Sequence, residues 1–144
     1  MNNLTKMKIS KSANEVFEAF VDPAKIRNFW FSSSSERWVQ GKKITLIYDE
    51  YNAEVPIIVN KIEPNRKIAF QWGANGEGHT VTFTLIDLDD STTIVEVNEE
   101  GFNENDADFI SQILDNKEGW VFMLTCLKAY LESDVTTLRV GLVK

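Results

Sequence analysis

The chain has 144 residues, of which 43% are hydrophobic and 26% charged, and its formal net charge is −7 at pH 7. This length fits one domain that buries about two-thirds of its unfolded surface around a single core. The negative charge argues against a nucleic-acid binder, because neutralising phosphates requires clustered Lys and Arg side chains. The N-terminus is polar, so we expect no signal peptide. The longest apolar run extends only from Trp120 to Leu124, so we expect no membrane span. The lone cysteine, Cys126, fits a reducing compartment, so we expect a cytoplasmic protein without disulfides.

Acidic residues are concentrated in the segment 87–108. This segment holds nine acids and no Lys or Arg: Asp87, Asp89, Asp90, Glu96, Glu99, Glu100, Glu104, Asp106 and Asp108. They could form a solvated turn, strand face and helix start, where acids suit the helix dipole. Alternatively, they could form a docking patch for a basic partner. We favour the first interpretation.

The first third of the chain predicts one strand and two short helices. Leu4 to Ser10 alternates apolar and polar residues, as an opening strand does. Ser12-Ala-Asn-Glu15 has the pattern of a capping box, so a helix should begin there. Asp22-Pro23 should end that helix and start a second one, with Asp as its cap and Pro in its first turn. A serine loop, residues 32–35, follows.

From Trp38 to Glu100 the apolar residues recur with a period of two, which predicts strands joined by short turns in an antiparallel meander. Pro56 interrupts one strand and suggests an edge position or a bulge. We expect turns at residues 64–66, 73–78 and 89–91. The apolar members of the successive strands are Ile44, Leu46 and Tyr48; Val55 to Ile62; Ile68, Phe70 and Trp72; Val81, Phe83 and Leu85; and Thr93, Val95 and Val97.

A long amphipathic helix should follow, from about Asp106 to Glu132. Its apolar residues recur in steps of three, four or seven: Phe109, Ile113, Trp120, Leu124, Leu127 and Leu131. Gly119 interrupts it, and since glycine is about 1 kcal/mol less favourable than alanine in a helix, we expect something to pack closely against the backbone there. The tail from Val135 to Val143 is strand-like and apolar. It should pair with its own sheet or with a second subunit, and with the helix it suggests a homodimer.

Six segments that occur in order carry a resemblance to a known family. They are Asp22 to Trp30 (DPAKIRNFW), Gly41 to Leu46 (GKKITL), Ile62 to Trp72 (IEPNRKIAFQW), Val81 to Leu85 (VTFTL), Glu99 to Phe102 (EEGF) and Gly119 to Leu131. Together they resemble the START-like (SRPBCC) superfamily, in the branch named after the C-terminal domain of the activator of the heat-shock protein 90 ATPase. The resemblance covers about residues 4–132, so we assign residues 1–132 to a single START-like domain and 133–144 to a tail.

The resemblance implies an α+β, helix-grip fold: a curved antiparallel sheet wrapped around a long C-terminal helix, with two short helices after the first strand. It also implies a cavity between sheet and helix. Two positions depart from the family pattern. The family often continues with Trp-Phe-Gly-Pro where this chain reads Trp30-Phe-Ser-Ser, which alters the loop at the usual cavity mouth. Glu99 occupies a position where many relatives carry a polar ring or a histidine.

No catalytic, metal or cofactor motif is recognisable in the sequence. The single histidine, His79, has no spaced partner for a metal site, and Cys126 in an apolar helical run is typical of a core residue. Glu99 is the exception, because its alternation with Val95 and Val97 places it on the interior face. An acid in an apolar pocket has a raised pKa and can act as an acid, a base or a ligand hook. Alternatively, Glu99 lies in water at the strand end or pairs with a lysine.

These observations lead to three functional hypotheses. The first is a cytosolic protein that holds a hydrophobic or aromatic small molecule between sheet and helix, without a cofactor. The second is a protein-interaction domain that acts on a heat-shock protein ATPase, and the third is an enzyme of the aromatase/cyclase kind with Glu99 as its acid–base residue. For the first hypothesis the candidate ligand-binding residues are Trp30, Trp38, Tyr48, Phe70, Trp72, Phe83, Glu99, Trp120 and Leu124.

Overall fold

The computed structural model describes residues 2–72 and 78–143, so most of the predicted turn at residues 73–78 lies outside the described residues. Seven strands and three α-helices occur in the described residues. In chain order they are β1 (Asn2–Ile9), α1 (Ala13–Val21), α2 (Pro23–Ile26), β2 (Ser33–Ser34), β3 (Lys43–Tyr48), β4 (Ala53–Glu63), β5 (Lys67–Trp72), β6 (His79–Leu88), β7 (Thr92–Glu100) and α3 (Phe109–Ser133). Two short 3-10 helices, Asp49–Tyr51 and Leu138–Val140, complete the described structure. None of the described helices combines the length and the apolar character needed to span a bilayer.

The strands form one antiparallel sheet in the order β1-β7-β6-β5-β4-β3-β2. With the long helix α3 and the two short helices after β1, this confirms the predicted α+β helix-grip arrangement. The serine loop differs from the prediction, since Ser33 and Ser34 pair with β3 as a two-residue edge strand. The bulge in β4 falls between Val59 and Lys61. Pro56 pairs with Thr45 of β3, and β4 lies between β3 and β5, so Pro56 is neither on an edge strand nor at the bulge.

The predicted caps set the boundaries of α1 and α2. The Ser12 side chain accepts a hydrogen bond from the Glu15 backbone N–H, and the Glu15 carboxylate accepts one from the Ser12 N–H, which completes the capping box. Asp22 ends α1 and caps α2 by accepting from the Ala24 N–H, with Pro23 in the first turn. The two helices therefore begin and end where local hydrogen bonding dictates.

Helix α3 lies along the free edge of β1 and covers its unpaired backbone groups. The ammonium groups of Lys117 and Lys128 donate to the carbonyls of Leu4 and Lys8, respectively. At the end of the strand, the Glu132 carboxylate accepts a hydrogen bond from the backbone N–H of Ser10 at 2.9 Å. An exposed strand edge recruits other strands, so these contacts block edge-to-edge pairing at β1.

The core fills the space between the concave face of the sheet and the helices. Its largest fully buried side chains come from α1, α2, the strands and α3, and they include Phe20, Phe29, Phe70, Phe83, Ile26, Ile68, Leu124 and Leu127. Phe83 contacts the rings of Phe20, Phe70 and Trp120 at centroid distances of 4.5–5.7 Å. These contacts join sheet and helices into one apolar cluster.

The C-terminal tail is not a strand, contrary to the sequence-based prediction. Helix α3 ends at Asp134, which has a left-handed φ of 55°, and the chain then folds back into the 3-10 helix Leu138–Val140. The alternation of apolar residues that suggested a strand leaves Leu138 and Val140 exposed at 41% and 47%, while Arg139 between them is buried. The buried residue of the tail is therefore polar, because it meets polar partners rather than the sheet face.

Candidate functional site

An apolar cavity of about 500 Å³ opens between α3, the N-terminal helical region, β3 and the tail. Aromatic rings dominate its walls, and the lining residues are Phe29, Trp30, Tyr48, Tyr51, Gly119, Phe122, Met123 and Leu142. Ligand sites for small molecules are concave, mostly apolar and about 300–1,000 Å³ in volume. This cavity has both the size and the character of such a site.

Gly119 of α3 faces this cavity, and the sequence-based explanation for it is wrong. A Cβ atom added at Gly119 would meet no atom of the described residues within 4 Å, so none of residues 2–72 and 78–143 packs closely against the backbone there. The glycine instead leaves space, and because its φ lies outside the left-handed range of +20° to +160°, the backbone conformation at this position does not require glycine. The helix thus has a glycine, which destabilises it relative to alanine, at the position where its surface borders the cavity. We call this position the open wall of the cavity.

A second, smaller cavity of about 210 Å³ lies one helical turn towards the N-terminus of α3. It shares Trp30 and Gly119 with the first cavity and adds Trp72, Asp115, Asn116 and Trp120. The rings of Trp72 and Trp120 stack at 5.3 Å with an interplanar angle of 17°. The two cavities therefore adjoin along α3, with Trp30 and Gly119 between them.

Behind this second cavity, the carboxylate of Glu99 is buried and fully engaged. Glu99 is 2% exposed. Its Oε1 accepts hydrogen bonds from Asn116 Nδ2 at 3.0 Å and from Trp120 Nε1 at 2.9 Å. Its Oε2 lies 2.6 Å from His79 Nδ1. A buried carboxylate needs such partners, and this one joins β7 to two successive turns of α3.

The surroundings of His79 hold the Glu99 cluster in place from the sheet side. The His79 ring meets the Phe102 ring edge-on at 4.4 Å. Gly101 has a φ of +124°, and a Cβ atom there would approach His79 Cδ2 to 2.5 Å, so the close approach of backbone to imidazole requires glycine. Asn116 of α3 is held in turn by Asn3 of β1, whose amide donates to Asn116 Oδ1 at 2.9 Å. The cluster therefore fixes α3 against strands β1, β6 and β7.

On the opposite side, the tail forms a wall of the larger cavity. Leu142 lines it directly, and the hydroxyl groups of Tyr48 and Tyr51 donate to the backbone carbonyls of Arg139 and Leu142 at 3.0 and 3.4 Å, respectively. Arg139 pairs with Glu50 and holds the pKa of that carboxyl at about 2, chiefly by hydrogen bonding. The tail is thus attached to the residues that bound the cavity.

Burial also raises the pKa values of two nearby groups. The pKa of Tyr48 rises to about 12 and that of the Cys126 thiol to about 11, chiefly by desolvation. Since a reactive cysteine needs a lowered pKa, Cys126 has the character of a core residue, as its sequence context predicted. Both groups stay neutral at physiological pH.

The structure brings some of the candidate ligand-binding residues to the cavities and places others elsewhere. Trp30, Tyr48, Trp72 and Trp120 line them, whereas Phe70, Phe83, Leu124 and Trp38 are packed in the core at 0–2% exposure. Glu99 lies on the interior face that its alternation predicted, but behind Trp120 rather than in either lining. Sequence reasoning also missed the other residues of the larger cavity, which are Phe29, Tyr51, Gly119, Phe122, Met123 and Leu142. It did not predict His79 and Asn116 as partners of Glu99, or Arg139 as the partner of Glu50.

Only the glycine carried a signal that could have revealed the cavity. A helix-breaking residue inside a strongly apolar helix has two explanations, close packing or open space, and the sequence does not distinguish them. The roles of His79, Asn116 and Arg139 depend on contacts with residues 20, 17 and 89 positions away, respectively. No local pattern reports such contacts.

Comparison with solved structures places this geometry among known relatives. The protein SSP2350 from Staphylococcus saprophyticus is 49% identical, covers 94% of this chain and 95% of its own, and superimposes with a TM-score of 0.83. The Aha1 dimer from Colwellia psychrerythraea is 22% identical over 92% of this chain and 97% of its own, with a TM-score of 0.79. PFC0360w, an HSP90 activator from Plasmodium falciparum, is 17% identical over 92% and 96% of the two chains, with a TM-score of 0.73. The last two likenesses show the fold alone.

The sequence comparison gives the family. No curated protein matches the chain. Residues 10–132 match the family described as Activator of Hsp90 ATPase homolog 1-like protein, which agrees with the resemblance seen in the sequence motifs. Since the match spans most of the chain, this protein belongs to the Activator of Hsp90 ATPase homolog 1-like family, with the START-like (SRPBCC) fold.

Proposed function

We propose that this protein binds a small, uncharged, largely aromatic molecule in the cavity between α3 and the sheet. The observation that carries the proposal is the apolar cavity of about 500 Å³ with an open glycine, Gly119, in its helical wall. Gly119 is exposed where it lines the cavity, and alanine there would stabilise the helix by about 1 kcal/mol without meeting any atom of the described residues within 4 Å. The space is therefore more consistent with a bound molecule than with packing.

The chemistry of the walls indicates the class of ligand. Five of the eight lining residues carry aromatic rings, which offer faces and edges to a flat apolar molecule. Both tyrosine hydroxyls already donate to backbone carbonyls of the tail. At the adjoining cavity, Asn116 and Trp120 donate to Glu99. None of the described residues that line the larger cavity carries a charged side chain, so a charged ligand there would leave its charge unpaired, which is costly, and a neutral ligand is favoured.

Native mass spectrometry of the freshly purified protein, together with titration by the neutral aromatic dye Nile red, tests this proposal. We expect a retained small molecule or a saturable dye site of one per chain. Phe122→Ala, which removes a ring from the cavity wall, should weaken dye binding, whereas Phe102→Ala, which removes a ring beside His79 away from the cavity, should not. A bare protein that binds no dye would contradict the proposal.

A second candidate is a protein-interaction role on a heat-shock protein 90 ATPase, which is supported by the family description and by the outer face of α3. Ile110, Leu114 and Val121 are exposed at 66%, 64% and 42%, on the side of the helix away from the larger cavity. Unpartnered apolar side chains of this kind often mark an interaction surface. The test is to add the protein to purified heat-shock protein 90 and measure ATP hydrolysis. Stimulation that Leu114→Glu abolishes would support this role, and unchanged hydrolysis would exclude it.

A further inference from the structure

The C-terminal tail, residues 134–143, closes one side of the larger cavity through a small number of strong contacts. We propose that this tail is a strap that opens to admit and release the ligand, and that the ion pair between Arg139 and Glu50 is its latch. The inference rests on the proposed binding function, because the strap borders the cavity in which the ligand would lie.

The latch consists of one buried guanidinium. Arg139 Nη1 donates to Glu50 Oε1 at 2.6 Å and Nη2 donates to Glu50 Oε2 at 3.1 Å, in a bidentate pair. Its Nε donates to the backbone carbonyl of Trp30 at 2.8 Å, and Nη2 also donates to Ser32 Oγ at 3.0 Å. The guanidinium carbon lies 5.1 Å from the ring centroid of Tyr48. Bidentate charged hydrogen bonds are among the strongest side-chain contacts, so they hold the strap closed.

Apart from this latch, the strap makes few contacts with the rest of the described residues. Leu138, Val140 and Val143 are exposed at 41%, 47% and 88%, so their apolar side chains contribute little burial. The remaining side-chain contacts described above are the two tyrosine hydroxyl bonds to tail carbonyls. A segment with few buried apolar contacts opens at low free energy.

The junction with α3 provides a place where the strap can pivot. Asp134 adopts a left-handed conformation with φ 55°, and its N–H bonds to the carbonyls of Ala129 and Tyr130, which ends the helix. Beyond this residue the strap can move without unwinding α3. When it moves, Leu142 leaves the cavity wall and Tyr48 and Tyr51 lose their carbonyl partners.

This arrangement makes a specific kinetic prediction. If the latch is closed both with and without ligand, weakening it raises the open fraction in both states equally. Association and dissociation rates then rise together, and the equilibrium constant stays the same. A residue that simply contacts ligand behaves differently, because its loss raises mainly the dissociation rate.

The test uses Glu50→Gln in the full chain, with Nile red as the probe in stopped-flow fluorescence. Loss of the charged partner should raise both rate constants by about tenfold, with the dissociation constant changed less than twofold. The matched control is Glu18→Gln, because Glu18 forms an equally bidentate pair with Arg37, at 2.9 and 2.7 Å, away from the cavity. Glu18→Gln should leave both rates unchanged. If Glu50→Gln does not fold, Arg139→Lys, which keeps the charge but not the bidentate geometry, should give the same direction.

Hydrogen exchange of the ligand-free protein separates the strap from the binding function. The Gly141 amide, which donates to the Leu138 carbonyl at 2.9 Å, should exchange faster in Glu50→Gln while amides of β6 and β7 remain protected. If the tail of Glu50→Gln exchanges faster than that of the wild type but neither protein binds dye, the strap is supported and the proposed binding function is wrong. Dye binding with unchanged tail exchange, or a rise in the dissociation rate alone, would overturn the strap.

Discussion

Substitution of Gly119 is expected to change stability and ligand binding in opposite directions. In Gly119→Ala the new methyl group meets no atom within 4 Å, so no steric term opposes the gain in helix propensity. The free energy of unfolding should rise by about 1 kcal/mol. For a chain of this size that corresponds to an increase in Tm of about 3 °C.

Gly119→Leu extends the same argument into the cavity. A leucine side chain takes up on the order of 100 Å³, which is a substantial part of a cavity of about 500 Å³. The variant should be at least as stable as the wild type, because leucine is a good helix former and its methyl groups gain contact with the walls. Since overpacking costs about 1–3 kcal/mol, Nile red should bind roughly tenfold or more weakly.

The assay combines urea denaturation, followed by circular dichroism, with a Nile red titration of each variant. Val121→Leu serves as the control, since Val121 lies on α3, is 42% exposed and does not line the larger cavity. It should leave Nile red binding unchanged and raise the free energy of unfolding by no more than about half a kcal/mol, the gain in helix propensity from valine to leucine. A Gly119→Leu variant that loses stability would refute the open wall, and one that binds dye as tightly as the wild type would refute the location of the site.

The remaining predictions concern the polar contacts and the oligomeric state. Glu99→Leu should destabilise by roughly 3 kcal/mol in urea denaturation, because it removes the acceptor of the buried Trp120 Nε1 and of the half-buried Asn116 amide and leaves His79 Nδ1 without its partner, whereas the isosteric Glu99→Gln should cost about 1 kcal/mol or less; equal losses would contradict this. Urea denaturation should show that Gly101→Ala lowers the free energy of unfolding by about 2 kcal/mol more than Gly41→Ala does. Both glycines have a positive φ, but only a Cβ atom at Gly101 would clash with a side chain, so equal losses would contradict the prediction. The pKa of Glu50 in the folded protein is about 2, below the ordinary value of 4.5. Glu50 therefore contributes fully to the free energy of unfolding above pH 4.5, and this contribution is lost as the pH falls towards 2. The difference in free energy of unfolding between the wild type and Glu50→Gln should therefore become smaller over that pH range. A constant difference would show that the charge of Glu50 does not stabilise its contact with Arg139. We also propose a homodimer through the exposed apolar side chains of α3 and the tail, among them Leu114, Leu138 and Val140, so deletion of residues 134–144 should lower the mass found by light scattering; a full-length protein that is monomeric at high concentration would exclude it.

The sequence by itself determined the α+β class and most of the element boundaries, and the resemblance of its motifs to a known family implied the helix-grip fold. Periodicity of two or 3.6 reports which face of a strand or helix is apolar, and caps such as Ser12 with Glu15 fix a helix start through bonds between neighbours. The same alternation identified the interior position of Glu99 on β7. These properties are local, so the residues next to one another in the chain were sufficient to predict them.

Tertiary structure alone decided what the interior positions do. The sequence grouped Phe83 and Trp30 as one aromatic set, but the first is packed at 0% exposure and the second lines the cavities, because that depends on which side chains face each other across the sheet. The space beside Gly119 exists because no side chain or backbone of the described residues comes within 4 Å of it, and a local pattern cannot report the absence of a distant neighbour. Likewise, the tail alternates like a strand but folds back as a 3-10 turn, because the buried Arg139 finds Glu50 and the Trp30 carbonyl about a hundred residues away in the chain. Contacts of that separation are fixed only when the whole chain packs.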